Sequence, residues 1–152
     1  MLGLKIAAVF LMGLAVGVLY RVPRGKLLYG SLNAAAGWLV MYEMLAMGAS
    51  VVAANFGGSL VVGAASELLA RRLRKPATIF IIPGFIPLVP GREAYTTMRY
   101  LVEGDYPHAF SMGVQTLFIA GAIAFGIFVS ITVYRLALTY HCDSRTGHVD
   151  RG

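Results

Sequence analysis

Charged residues are scarce in this chain, and they make up 13% of its 152 residues. A soluble domain of this size carries roughly twice that fraction. Hydrophobic residues account for 58% of the sequence, and the mean hydropathy is +0.72. Several apolar runs approach the roughly 20 residues that span a bilayer. The shortage of charge therefore predicts an integral membrane protein embedded in the lipid bilayer.

Cysteine is nearly absent too, since Cys142 is the only one. A single cysteine excludes an intrachain disulfide and argues against a cysteine-based zinc site. The polar tail around it also holds His141, Asp143 and His148, but we interpret this tail as a solvated terminus and expect no metal and no cofactor. The sequence also lacks the His-Glu-x-x-His and Gly-x-Ser-x-Gly motifs, so we expect no enzyme.

Lysine and arginine outnumber the acidic residues and give a net charge of +6. Most of these cations lie in two short loops and do not form a folded basic surface. The loops contain Arg21, Arg24 and Lys26, and Arg71, Arg72, Arg74 and Lys75. Short basic loops beside apolar helices set the orientation of a membrane protein. We therefore expect no nucleic acid as a partner.

Five hydrophobic segments follow one another without a soluble domain or an internal repeat between them. They run over Leu4–Tyr20, Leu27–Ala46, Ser50–Ala70, Ala77–Val89 and Phe110–Tyr134. This pattern predicts an all-α membrane domain of about five transmembrane helices over residues 1–140, with a short polar tail over 141–152. The first segment is interpreted as a retained helix, because no small-x-small cleavage site follows it. Its Gly13 and Gly17 have the spacing that lets membrane helices approach closely.

The orientation of these segments follows from the basic loops. If both loops face the cytoplasm, five crossings place the N-terminus outside and the C-terminal tail inside. Ten of the 13 lysines and arginines then lie on the inner side, as the positive-inside rule requires. The assignment holds only if the fourth segment crosses the membrane.

The fourth segment is interrupted at residues 83–91 by Pro83, Pro87 and Pro90, with glycines beside them. Its 13 residues reach about 20 Å as a helix, short of a roughly 30 Å hydrocarbon core. Proline lacks an N–H and clashes with the preceding turn, so a continuous helix is not expected. Unpaired backbone at membrane depth needs protein or water around it, and transporters build midplane sites from such breaks. A packed kink, or an outer loop that dips into the membrane, is the alternative.

A helix is predicted over Arg92–Glu103, directly after the break. Arg92, Tyr95, Thr96 and Arg99 share one face of it by their spacing. Two cations, a phenol and a hydroxyl beside a helix N-terminus favour a carboxylate. The alternative is an interfacial amphipathic helix with solvated arginines. Together with polar residues expected at the same depth, the predicted substrate-binding residues are Pro87, Pro90, Gly91, Arg92, Tyr95, Thr96, Arg99, Asn55 and Gln115.

Acidic residues within or beside spans are functional candidates because charge is expensive there. Glu43, near the outer end of the second segment, and Glu93, at the start of the following helix, are the candidates for proton coupling. Glu67 lies four residues before Arg71, so a local ion pair is predicted for it.

The segment Ile86–Gly91 and the residues in Ala94–Met98 resemble the threonine/serine exporter family, most closely its small, separately encoded subunit. The resemblance implies the C-terminal membrane half of a bacterial inner-membrane exporter of threonine and serine, or of a dicarboxylate such as succinate. It also implies transport driven by the proton gradient and a larger partner subunit of the same family, in a homo- or hetero-oligomer. A structural subunit that stabilises its partner without contacting substrate is the alternative.

Overall fold

The computed structural model describes the backbone of residues 2–146 and the side chains of residues 2–136. This part of the chain is helical and contains no strand, which confirms the predicted all-α fold. The helices are α1 (Leu2–Leu19), α2 (Arg24–Ala46), α3 (Val51–Leu73), α4 (Thr78–Phe85), α5 (Gly91–Val102) and α6 (Tyr106–Thr146), and a 3-10 turn, Ile86–Leu88, follows α4. The backbone of α6 enters the predicted tail, and the side chains of that tail lie outside the described residues.

Three of these helices are long and apolar enough to cross a membrane. They are α1, α3 and the portion Tyr106–Leu136 of α6. The helix α2 is as long as α3, at 23 residues, but it is not one of these three. The apolar stretch Thr78–Leu88 is shorter. A membrane protein is therefore supported, and the number of five crossings stays a prediction.

Glycine brings α1 and α2 together. Gly13 and Gly17 are the buried residues of α1, and a Cβ on Gly13 would lie 3.0 Å from Ser31 Cα. A Cβ on Gly17 would lie 2.6 Å from Leu27 Cδ2. The spacing of small residues in α1 therefore does form a helix contact, as predicted from the sequence.

The contact between α2 and α3 is closer still. A Cβ on Gly58 would lie 2.8 Å from the carbonyl oxygen of Gly37, and a Cβ on Gly37 would meet Val62. Val62 is fully buried and belongs to the apolar core with Leu88 and residues of α6. Two backbones without side chains between them gain dispersion contacts that larger residues would prevent.

Local signals fix where the helices begin and end. Ser50 accepts a hydrogen bond from the Ala53 amide at 3.2 Å and caps the start of α3, as serine commonly does. Arg74 ends α3 with a positive φ of 50°. At the start of α6 the His108 ring nitrogen lies 2.8 Å from an Asp105 carboxylate oxygen. This hydrogen bond holds the pKa of Asp105 below its ordinary value.

The glycine contact leads to a stability prediction. We expect Gly58→Ala to lower the free energy of unfolding by about 1–3 kcal/mol, because its Cβ would press on a backbone oxygen that cannot move alone. Gly121→Ala is the matched control, since a Cβ there meets nothing within 4 Å. That control should be neutral or stabilise by up to about 1 kcal/mol. Unfolding in detergent measures both, and equal effects would contradict the packing argument.

Candidate functional site

The backbone leaves α-helical geometry between α4 and α5. The helix α4 has only 8 residues and contains Pro83. The 3-10 turn then closes with a 3.2 Å bond from the Val89 amide to the Ile86 carbonyl. The next helix begins at Gly91 with a 3.0 Å bond from the Ala94 amide to the Pro90 carbonyl. That this interruption lies within a membrane crossing stays a prediction.

A buried asparagine connects the interrupted segment to two long helices. Nδ2 of Asn33, on α2, lies 2.8 Å from Ser66 Oγ and 3.2 Å from the Val62 carbonyl oxygen, both on α3. The same nitrogen lies 3.2 Å from the Phe80 carbonyl oxygen on α4. Asn33 is 3% exposed. One amide group therefore joins α2, α3 and α4.

Small residues make this arrangement possible. A Cβ on Gly30 of α2 would lie 2.9 Å from Pro83 Cγ, and a Cβ on Gly84 of α4 would lie 2.9 Å from Asn33 Nδ2. The proline ring and the amide thus occupy space that two glycines leave open. We call Asn33, Ser66, Gly84 and the carbonyls of Val62 and Phe80 the Asn33 junction.

The Asn33 junction has spare capacity to accept a hydrogen bond. The amide oxygen Oδ1 of Asn33 is buried and accepts no hydrogen bond from the described residues. A buried polar atom without a partner costs about 1–3 kcal/mol. The oxygen can accept a bond from water or from the hydroxyl or ammonium group of a ligand. The junction is therefore both an anchor for α4 and a polar point in an apolar interior.

The predicted cationic face lies on the outside of α5. The opposite face of this helix, with Ala94 and Leu101, lines an apolar groove of about 650 Å³ against α6. Arg92 and Tyr95 are exposed, and Arg99 Nε lies 3.3 Å from Glu103 Oε1. The hydroxyl of Thr96 donates to the Arg92 carbonyl at 2.8 Å. The four predicted residues thus share an open surface, and their binding role stays a prediction.

The remaining predicted substrate residues do not form one cluster with that face. Asn55 is buried in α3 and donates to the Val51 carbonyl of its own helix at 2.8 Å. Gln115 is exposed on α6, Gly91 is exposed at the start of α5, and the prolines Pro87 and Pro90 are half-buried. The structure therefore separates buried and exposed members of the predicted set.

The acidic candidates differ in burial. Glu43 is exposed on α2 and Glu93 is half-buried on α5, and their coupling role stays a prediction. Glu67 is 5% exposed, and its Oε1 lies 3.5 Å from Arg135 Nε on α6. The predicted local pair with Arg71 is wrong, because Glu67 faces α6 and Arg71 lies over the ring of Tyr134, 5.3 Å from its centroid.

Sequence reasoning did not assign Asn33, Ser66 and Glu67 to a site. Asn33 was visible as a polar residue in an apolar run, but its partners are 33 and 47 positions away in sequence. No local spacing indicates such contacts. Among the described residues no group of three or more potential metal ligands occurs.

The comparisons with known proteins agree with the sequence resemblance. The family described as "Threonine/Serine exporter, ThrE" matches residues 5–133 of this chain. A relative from Haemophilus influenzae, named only as an uncharacterized protein, is 29% identical over 123 residues. The match covers 74% of this chain but only 41% of that relative. No solved structure matches.

The Asn33 junction yields a second stability prediction. We expect Asn33→Ala to lower the free energy of unfolding by about 1–2 kcal/mol, since it removes the buried side-chain hydrogen bonds that join α2 to α3 and α4. Asn55→Ala is the matched control, because that amide bonds only within α3, and it should cost less. Unfolding in detergent measures both. A change at Asn33 no larger than at Asn55 would refute the anchoring role.

Proposed function

The chain belongs to the threonine/serine exporter family, and we propose that it forms one membrane part of a bacterial exporter. This is a family of membrane transporters and not a class of enzymes. The proposed substrates are threonine and serine, or another small metabolite that bears a carboxylate, including a dicarboxylate such as succinate. The observation that carries the proposal is the family match, which extends over α2 to α5 and most of α1 and the described part of α6.

A larger partner subunit completes the proposed exporter. The match covers 41% of the Haemophilus influenzae relative, so more than half of that protein lies outside it. We propose that a larger subunit of the same family supplies the part of the relative that lies outside the match.

Five crossings of the bacterial inner membrane, with the N-terminus outside and the C-terminus in the cytoplasm, are part of the proposal. The two basic loops support the orientation. The helix α2 can cross despite its polar residues, because Ser31 and Asn33 are buried against other helices. The short α4 can occupy membrane depth because it packs among α1, α2 and α3 and Asn33 binds its Phe80 carbonyl, so its backbone is surrounded by protein.

The proposed transport step moves the interrupted segment. Discontinuous helices line the substrate sites of many transporters, and α4 is a short helix joined to α2 and α3 through Asn33. The Arg92 face would bind the carboxylate at the outer end, and proton coupling is assigned to Glu43 or Glu93.

Export itself is tested by expression with and without the partner. Cells that hold labelled threonine, serine or succinate should lose label faster when both subunits are present than when either is absent. Efflux is measured by filtration over minutes. If the pair gives no efflux of any of the three above cells without either subunit, the proposed function is wrong.

The outer face is tested by substitution. We expect Arg92→Ala and Tyr95→Ala to abolish export while membrane insertion and partner binding persist, because both side chains are exposed and carry no packing. Arg24→Ala, at an exposed cation that begins α2, is the control and should export normally. Undiminished export by both variants would remove the carboxylate-binding role and would favour the structural subunit.

A further inference from the structure

A charged pocket opens at the C-terminal end of α3. It lies away from the cationic face of α5 that contains Arg92 and Tyr95. Its volume is about 490 Å³. It lies where α3, the residues that lead into α4, and α6 meet. Its charged residues are Glu67, Arg71, Arg74, Lys75 and Arg135. Four cations therefore surround one carboxylate.

The carboxylate is the unusual member of this pocket. The side chain of Glu67 is 7% exposed, whereas that of Arg135 is 69% exposed. The two approach to 3.5 Å, yet the buried Oε1 of Glu67 accepts no hydrogen bond from the described residues. A buried carboxylate normally has its acceptor sites filled by donors. Glu67 thus keeps an acceptor site for a further donor.

The charge pattern matches a ligand that carries both signs. A free α-amino acid has a carboxylate for the cations and an ammonium for Glu67. A dicarboxylate or a phosphate would bind the cations but would be repelled by Glu67. The pocket is also large enough for such a molecule, since ligand pockets begin near 300 Å³.

We propose that this pocket is the cytoplasmic entry site for an α-amino acid, with Glu67 binding its ammonium group and Arg71, Arg74 and Lys75 binding its carboxylate. The assignment to the cytoplasmic side rests on the proposed exporter and its orientation. An exporter must load from that side, and in the proposed orientation the basic residues within 71–75, at the end of α3 and just after it, face it.

The pocket is linked to the Asn33 junction by adjacent residues. Ser66 binds Asn33 Nδ2 at 2.8 Å, and the next residue along α3 is Glu67. Pro76 and Ala77, which precede α4, line the pocket as well. A ligand that draws Glu67 and residues 71–75 together would therefore act on α4 through the residues that precede it and through the Asn33 contact.

Equilibrium binding tests the pocket directly. Labelled L-threonine and labelled succinate are bound to the full chain, alone and with its partner, in an uncharged detergent. Glu67→Gln should weaken threonine binding by at least roughly tenfold, as loss of a charge partner does, and leave succinate binding equal or tighter. Arg71→Gln, at an exposed position, should weaken both ligands. Lys26→Gln is the matched control outside the pocket and should bind as wild type.

Each outcome decides the proposal. No threonine binding by the wild-type chain, or equal binding by Glu67→Gln, overturns it, as does an equal loss of both ligands in that variant. A phosphatidylethanolamine headgroup carries the same two charges, so binding is repeated in vesicles with and without this lipid. If threonine binds in vesicles without this lipid but not in vesicles that contain it, the pocket is assigned to the headgroup. That result also overturns the proposal. Efflux decides the exporter separately, because binding in detergent needs no transport.

Discussion

Backbone groups in an apolar interior must find hydrogen-bond partners, and the rest of this structure depends on how that constraint is met around α4. The proline in α4 removes one donor, and the helix is too short to stand alone. Asn33 supplies a donor to the Phe80 carbonyl from α2 while also binding α3. The position of the interrupted segment is therefore set by a side chain on another helix.

Glycine makes that solution geometrically possible. An asparagine side chain is short, so the helices must lie close together for it to reach two neighbours. The contacts at Gly30, Gly37, Gly58 and Gly84 give this proximity. In lipid, close packing of this kind replaces the hydrophobic effect as the force between helices. The polar contact and the small residues therefore depend on each other.

Much of the fold could be predicted from the sequence, because helix positions follow from local apolar runs and from proline and glycine. The contact at Gly13 and Gly17 and the helix after Gly91 were both visible as patterns. The number of crossings was not, since α2 mixes apolar and polar residues whose burial depends on its neighbours. Partners across helices were also invisible: the Glu67 contact with Arg135 joins α3 to α6, and a local spacing rule chose the wrong arginine.

The amide of Asn33 has two hydrogens but three acceptors within 3.2 Å, on Val62, Ser66 and Phe80. The two hydrogens cannot form good hydrogen bonds to all three acceptors at once. A small displacement of α4 can therefore exchange one bond for another while the number of bonds stays the same. An exchange of this kind would keep the polar contact between the helices during the proposed movement of α4. The residue that fixes α4 in place is thus compatible with that movement.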